Sequence, residues 1–270
     1  MSRRIVTNKP TVRAEIPRAR RIVVKVGSSS VSGANVGQIG ALVDALVSAH
    51  ATGSEVILVS SGAIATGIPF LKLDARPTDL ATQQAAAAVG QNVLIYRYQE
   101  SFDRYGVVAA QILLTAGDME NPTHHSNAQR ALERLLGLKI LPIVNENDTV
   151  ATHEIRFGDN DRLAALVSVL VRADVLVLLS DIDALYTKPP SEPGAERIDV
   201  VSFANDLTDV TFGDIGAAGV GTGGAGTKVA AAKHAAAAGI PVLLAETGSV
   251  AAALAGASIG TWFEADPAAL

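Results

Sequence analysis

Short apolar runs rich in Val, Ile and Leu alternate along the chain with longer stretches in which apolar residues recur every three or four positions. "RIVVKVG" (21–27) predicts a buried strand ending in glycine, and Ile39, Leu42, Val43, Leu46 and Val47 then fall at helical spacing. "EVILVSSG" (55–62) predicts a second strand tipped with small residues. A long helix is expected over 78–106, capped by Thr78 or Asp79 and closed near Gly106. "VVAAQILLT" (107–115), a helix around 124–137 and "KILPIVN" (139–145) follow, then a polar stretch over 146–157 with the pattern of a hairpin. "DNDRLAALVSVLVRA" (159–173) reads as helix and "DVLVLLSD" (174–181) as strand. Residues 182–220 are irregular and carry Pro189, Pro190 and Pro193. The last pair is a helix over 227–239 and the strand "IPVLLAE" (240–246). Strands alternating with helices imply right-handed βαβ units and an open, mainly parallel sheet covered on both faces. The expected fold is therefore α/β, a three-layer α/β/α sandwich.

Ligands of such sheets gather at the carboxyl ends of the strands, and the unusual residues of this chain concentrate there. Gly27-Ser28-Ser29-Ser30, Ser60-Ser61-Gly62, Asn145-Glu146-Asn147-Asp148 and Ser180-Asp181 each follow an apolar run. Lys25 lies inside the first strand, where period two places it on the face of Val23 and Gly27, opposite Val24 and Val26. A buried ammonium is costly without a partner. Lys25 therefore either snorkels past an ordinary turn or meets an anion beside the amides and hydroxyls of Gly27 and the serines.

"GTGGAGTK" (221–228) almost matches the phosphate-binding pattern G-x-x-x-x-G-K-[ST], with its last two residues exchanged. It also comes late, after an irregular segment, whereas that pattern joins an early strand to its helix. It is not a P-loop. Its glycines permit close backbone approach, Thr227 is placed to cap the following helix, and Lys228 falls in the first turn beside any bound anion. A flexible loop is the competing reading. "NENDTV" (145–150) and "GDND" (158–161) mix carboxylates with amides. Either these are turns, or they bind a polar zwitterion, with Asp148 on an ammonium and Asn145 and Asn160 on a carboxylate. Asp161 serves as a helix cap or as the group that orients the two lysines. Neither stretch completes a calcium loop.

Composition narrows the classes. The chain has 270 residues, a formal net charge of −5 and no cysteine. Disulfides, thiolate metal sites and cysteine nucleophiles are excluded. No apolar run is long enough to span a membrane, no secretory signal is evident, and a cytoplasmic protein is expected. The acidic balance argues against general nucleic-acid binding. Residues 1–21 run against it with seven bases and one acid, and residues 1–19 read as a flexible basic extension. The five histidines show no metal spacing.

Taken in order, "VVKVGSSSV" (23–31), "VILVSSGAIATG" (56–67), "AAVGQ" (87–91), "AQILLT" (110–115), "NAQRALERLL" (127–136), "PIVNENDTVATHEIRFGDND" (142–161), "LVLLSDIDALYT" (176–187) and "GTGGAGTK" make the chain resemble the amino-acid kinase family. The second and sixth stretches resemble the branch that phosphorylates L-glutamate on its side-chain carboxylate. The resemblance implies a kinase domain over 20–265, with a substrate-binding N-terminal lobe and a nucleotide-binding C-terminal lobe from about 174. It implies ATP and Mg²⁺ as cofactors, with no protein metal site. Lys25 and Lys228 would hold the transferring phosphoryl group and Asp161 would orient them. Ser61, Gly62, Asp148 and Asn160 would bind glutamate, helped by Asn145 and Asp159. Gly27, Ser28, Ser180, Asp181, Thr222, Gly223, Gly224, Ala225, Gly226 and Thr227 would line the nucleotide with the two lysines. Proline as feedback inhibitor and a homo-oligomer, dimer or tetramer, are further expectations. Ala225 stands where many members carry Met, and no C-terminal PUA domain of the kind many members carry is expected. An acetylglutamate kinase and a non-catalytic nucleotide-binding regulator on the same fold are the competing readings. The first has less use for Asp148, and the second has no need of Lys25, Lys228 and Asp161 together.

Overall fold

The strands of this chain are almost uninterrupted runs of Val, Ile and Leu because both faces of their sheet are covered. The computed structural model describes residues 9–73, 77–150, 160–211 and 224–269. In chain order the elements are β1 (Arg21–Val26), α1 (Ser28–Val31), α2 (Gln38–Ala51), β2 (Glu55–Val59), α3 (Ala63–Gly67), α4 (Leu80–Asp103), β3 (Ala109–Leu114), α5 (Ala116–Glu120), α6 (Pro122–Gly137), β4 (Leu141–Glu146), α7 (Asn160–Leu170), β5 (Val175–Ser180), β6 (Leu185–Tyr186), β7 (Arg197–Ile198), β8 (Val200–Val201), α8 (Ala225–Ala237), β9 (Val242–Glu246), α9 (Val250–Leu254) and β10 (Thr261–Phe263). Eight strands form one sheet in the order β3-β4-β2-β1-β5-β9-β10-β8, and β6 pairs with β7 in a separate ribbon. Within the large sheet only β9 and β10 run antiparallel.

Period-two alternation sorts the core into two layers. Val23, Ile57, Val59, Val144, Leu176 and Leu178 pack against α6, α7 and α8. Ile22, Val24, Val26, Leu58, Val175 and Val177 pack against α2, α4 and α9. Each fully buried Val or Leu contributes roughly 1.5–3 kcal/mol. Three layers with a mainly parallel sheet is the expected architecture. Lys25 lies on the Val23 face, toward α7, in register with Val59 of β2 and Leu178 of β5.

Four differences from the sequence reading have physical causes. First, α9 and β10 follow β9, where no element was expected: they are only five and three residues long, too short to show a period. Second, the irregular region 182–220 contributes the two-residue strands β6, β7 and β8 in its described part. Third, α8 starts at Ala225 with Gly224 as its N-cap, so Thr227 lies inside the helix rather than capping it. Fourth, the leader read as flexible is packed from Arg13 onward. Arg13–Arg18 form a 3-10 helix, and Ile16 is fully buried. The Arg13 guanidinium donates to the carbonyls of Ile259, Gly260 and Asp199. Of the expected 146–157 hairpin, Asn147 and Val150 close a turn (3.1 Å), and the remainder lies outside the described residues.

The chain passes from β4, on one side of β1, to β5, on its other side. That reversal is the topological switch point of an open α/β sheet, where a crevice opens at the carboxyl edge.

Candidate active site

At that edge β1 ends in Lys25-Val26-Gly27. The Lys25 side chain curls toward the strand tip, so that a Cβ built on Gly27 would lie 3.8 Å from its Nζ. Across the crevice the first turn of α7 presents Asp161, and α8 presents Lys228. Lys25 Nζ stands 2.6 Å from Asp161 Oδ1, and Lys228 Nζ donates to Asp161 Oδ2 over 3.1 Å. All three side chains are buried. Burial alone would push the Asp161 carboxyl up, but the charges of Lys25 and then Lys228 outweigh it and hold the group down at about 2. Two ammonium groups from opposite ends of the chain are thus fixed on one carboxylate. Thr227 Oγ1 adds a donor to Asp161 Oδ2 (3.3 Å), shared with the Gly224 carbonyl (2.9 Å). Of the two roles open to Asp161, the geometry realises the pairing with both lysines. Helix α7 starts at Asn160, which leaves Asp161 inside the first turn.

The tip of β2 supplies Ser60, Ser61 and Gly62. Gly62 has φ +93, and a Cβ there would lie 3.3 Å from Ser28 Cα, so this turn presses against the turn that follows β1. Asn160 Nδ2 donates to Ser61 Oγ (3.1 Å), while Asn160 Oδ1 is buried with no partner among the described residues. Beneath them Ser60 Oγ meets Tyr98 OH at 3.0 Å. Asn145 at the end of β4 is oriented at both ends of its amide: Nδ2 donates to Gln91 Oε1 (2.7 Å), and Oδ1 accepts from the Glu146 N–H (2.9 Å). Asp148 is buried two residues from Glu146 and forms no ion pair among the described residues. Desolvation, then repulsion from Glu146, raise its carboxyl to about 7.

On the other side of β1, Ser180 Oγ donates to Asp181 Oδ1 (2.9 Å). Thr247, just after β9, donates to the Ser180 carbonyl (3.0 Å). The crevice thus joins Lys25, Gly27, Ser28, Ser61, Gly62, Asn160, Asp161, Thr227 and Lys228 directly. Asn145 and Asp148 lie on the β4 side, and Ser180 and Asp181 on the β5 side. Gly224, Ala225 and Gly226 form the start of α8. Asp159, Thr222 and Gly223 lie outside the described residues. Gln91, Tyr98 and Thr247 had no assigned role in the sequence reading. Thr247 follows an apolar strand as the other tip residues do, so the same strand-end rule reaches it.

A mainly parallel α/β sheet with paired lysines at its switch point defines the class of protein. The amino acid kinase family matches residues 20–246, and the chain belongs to it. It is 72% identical over 251 residues to the glutamate 5-kinase of Clavibacter sepedonicus, covering 93% of this chain and 96% of that protein. Against the glutamate 5-kinase of Leifsonia xyli subsp. xyli the identity is 71%, with 93% of each chain covered. Against that of Streptomyces coelicolor it is 57%, covering 94% of this chain and 69% of that one. Among solved structures, carbamate kinase from Giardia superposes with a TM-score of 0.66 at 15% identity, covering 92% of this chain and 99% of that one. This last likeness is one of fold.

Proposed function

We propose that the chain is a glutamate 5-kinase, which transfers the terminal phosphoryl group of ATP to the side-chain carboxylate of L-glutamate. The observation that carries this reading is the Lys25–Asp161–Lys228 constellation at the carboxyl edge of the sheet. A carboxylate oxygen of glutamate attacks the γ-phosphorus, the bond from phosphorus to the β,γ-bridging oxygen breaks, and ADP leaves. The acceptor is ionised at neutral pH, so no general base is needed. What is needed is in-line placement and positive charge around the equatorial oxygens. Lys25 and Lys228 supply the charge, Asp161 fixes their separation, and the α8 N-terminus faces the phosphates. Gly27, Ser28, Ser180, Asp181 and the segment 222–228 line the nucleotide.

Ser61, Gly62 and Asn160, with Asn145, hold the carboxylates of glutamate, and Asp148, helped by Asp159, receives its ammonium group. A buried carboxyl beside a second acid is a poor fit for N-acetylglutamate, which carries no cation there. Mg²⁺ carried by the nucleotide would supply charge neutralisation for the phosphates; Asp161 is already committed to two lysines. By the same reading the lobe before about residue 174 binds the acceptor and the lobe after it the nucleotide. Proline competes for the glutamate side, the chain self-associates, and the reaction takes place in the cytoplasm as the first step of proline formation. No helix among the described residues is long and apolar enough to cross a membrane.

The test is a substrate panel. With ATP and Mg²⁺, ADP release should depend on L-glutamate and not on N-acetylglutamate, UMP, aspartate or carbamate. Turnover with one of these and none with glutamate would reject the assignment. Within the same assay Lys228→Ala should lower kcat at least about tenfold, equivalent to roughly 1.4 kcal/mol.

A further inference from the structure

Three consecutive serines follow β1, and they are not equivalent. Ser28 and Ser29 stay partly exposed at the crevice, whereas Ser30 is buried and turned away from it. Its N–H closes the turn on the Gly27 carbonyl (3.2 Å), and its Oγ lies 2.8 Å from Thr247 Oγ1. Thr247 in turn reaches the Ser180 carbonyl at 3.0 Å. Ser30, Thr247 and Ser180 are all buried.

The direction of this chain of hydroxyls is fixed by counting protons. A hydroxyl has one proton to donate. The Ser180 carbonyl only accepts, so the Thr247 proton points there, and Ser30 must be the donor to Thr247 Oγ1. One buried side chain therefore ties the tip of β1 to the tip of β5 from the tip of β9, three neighbouring strands. On the opposite side Gly62 presses on Ser28, where a Cβ would stand 3.3 Å from Ser28 Cα. The turn 27–30 is clamped from both flanks, with Lys25 beneath it.

We infer that Thr247 is a positioning residue for phosphoryl transfer: it holds the Gly27–Ser30 amides in register with Lys25 and with the Ser180 side of the crevice, without itself touching substrate. The inference rests on the kinase reading above. Loss of the Thr247 hydroxyl should leave the outline of the site in place but loosen the amides that face the transferring group. The effect should fall on kcat more than on binding, since orientation contributes most in the transition state.

The test compares Thr247→Val, Thr247→Ser and Ser30→Ala with the parent chain. Expected are a drop in kcat of about tenfold or more for Thr247→Val with the Kd for ADP within about threefold, recovery to within about threefold in Thr247→Ser, and a drop in Ser30→Ala of the same order. Combined, Thr247→Val and Ser30→Ala should cost little more than Thr247→Val alone, because they break one linkage. Amide exchange of residues 27–31 should quicken in Thr247→Val, a readout independent of turnover. Unchanged kcat and exchange in Thr247→Val, failure of Thr247→Ser to recover, or additive losses would each overturn the inference. If Thr247→Val does not fold, Ser30→Ala decides by the same measures. If the parent chain turns over none of the acceptors, the kinase reading fails, while the exchange result still judges the clamp.

Discussion

Asp148 is buried beside a second acid, so its charge is sensitive to what fills the crevice. Burial and then Glu146 raise its carboxyl to about 7, so the folded, ligand-free chain keeps a proton that the unfolded chain releases near pH 4. Stability therefore falls as pH rises between about 4 and 7 and carries a constant penalty above. Asp148→Asn, neutral at every pH, should match the parent near pH 4 and exceed it by at least ~1 kcal/mol at pH 8 in denaturant titrations. Glutamate should show the opposite trend. Its ammonium favours the ionised carboxylate, so its affinity should rise by up to about tenfold per pH unit between about pH 5 and 7, then level off. Calorimetry in buffers of different protonation heat should detect the proton released, and Asp148→Asn should abolish both the slope and tight binding. Asp148 was visible in "NENDTV" as a carboxylate among amides and a second acid. Its partner environment was not, because burial is set by elements far away in sequence. The same holds for Asn145 and Gln91, and for Ser60 and Tyr98, which lie 54 and 38 residues apart.

Helices α3 and α4 meet backbone to backbone at Gly67 and Gly90. A Cβ on Gly90 would stand 1.8 Å from the Ala63 carbonyl oxygen, and one on Gly67 would stand 1.9 Å from that of Ala86. Both obstacles are backbone and cannot rotate away. Gly90→Ala should force the helices apart, costing at least ~2 kcal/mol in unfolding. It should also raise the KM for glutamate, because α3 begins directly after Gly62. Gly137→Ala is the control: a Cβ there meets nothing within 4 Å, so it should be neutral or stabilising by up to ~1 kcal/mol. The long elements were legible because each repeats its pattern for several turns or across a whole run of Val, Ile and Leu, as in β1 and α4. Lys25 could be placed on its correct face by alternation alone. The start of α8 could not be placed: a glycine run satisfies several helix starts, and the choice of Gly224 over Thr227 follows from Thr227 turning inward to Asp161 and to the Gly224 carbonyl.

The whole molecule is fastened by segments that carry no periodic signal. Ile16 is fully buried with Trp262, Leu254 and Val250 in the layer beneath α9. Pro10 and Pro17 concealed this from the sequence, because prolines and a basic composition also describe a loose extension. Ile16→Ala should cost about 2–5 kcal/mol in chemical denaturation, whereas an unpacked leader would tolerate it without change. The position of β1 sets a further constraint on how such a chain comes into being. Its neighbours in the sheet are β2, made soon afterwards, and β5, made more than a hundred residues later. On the ribosome one side of the central strand must therefore wait, with its backbone donors and acceptors paired only to water, until well over half of the protein has emerged. Such long-range pairing slows folding and leaves the waiting edge open to aggregation. Chaperone dependence during synthesis is the expected cost of building a phosphotransfer centre around the first strand to be made.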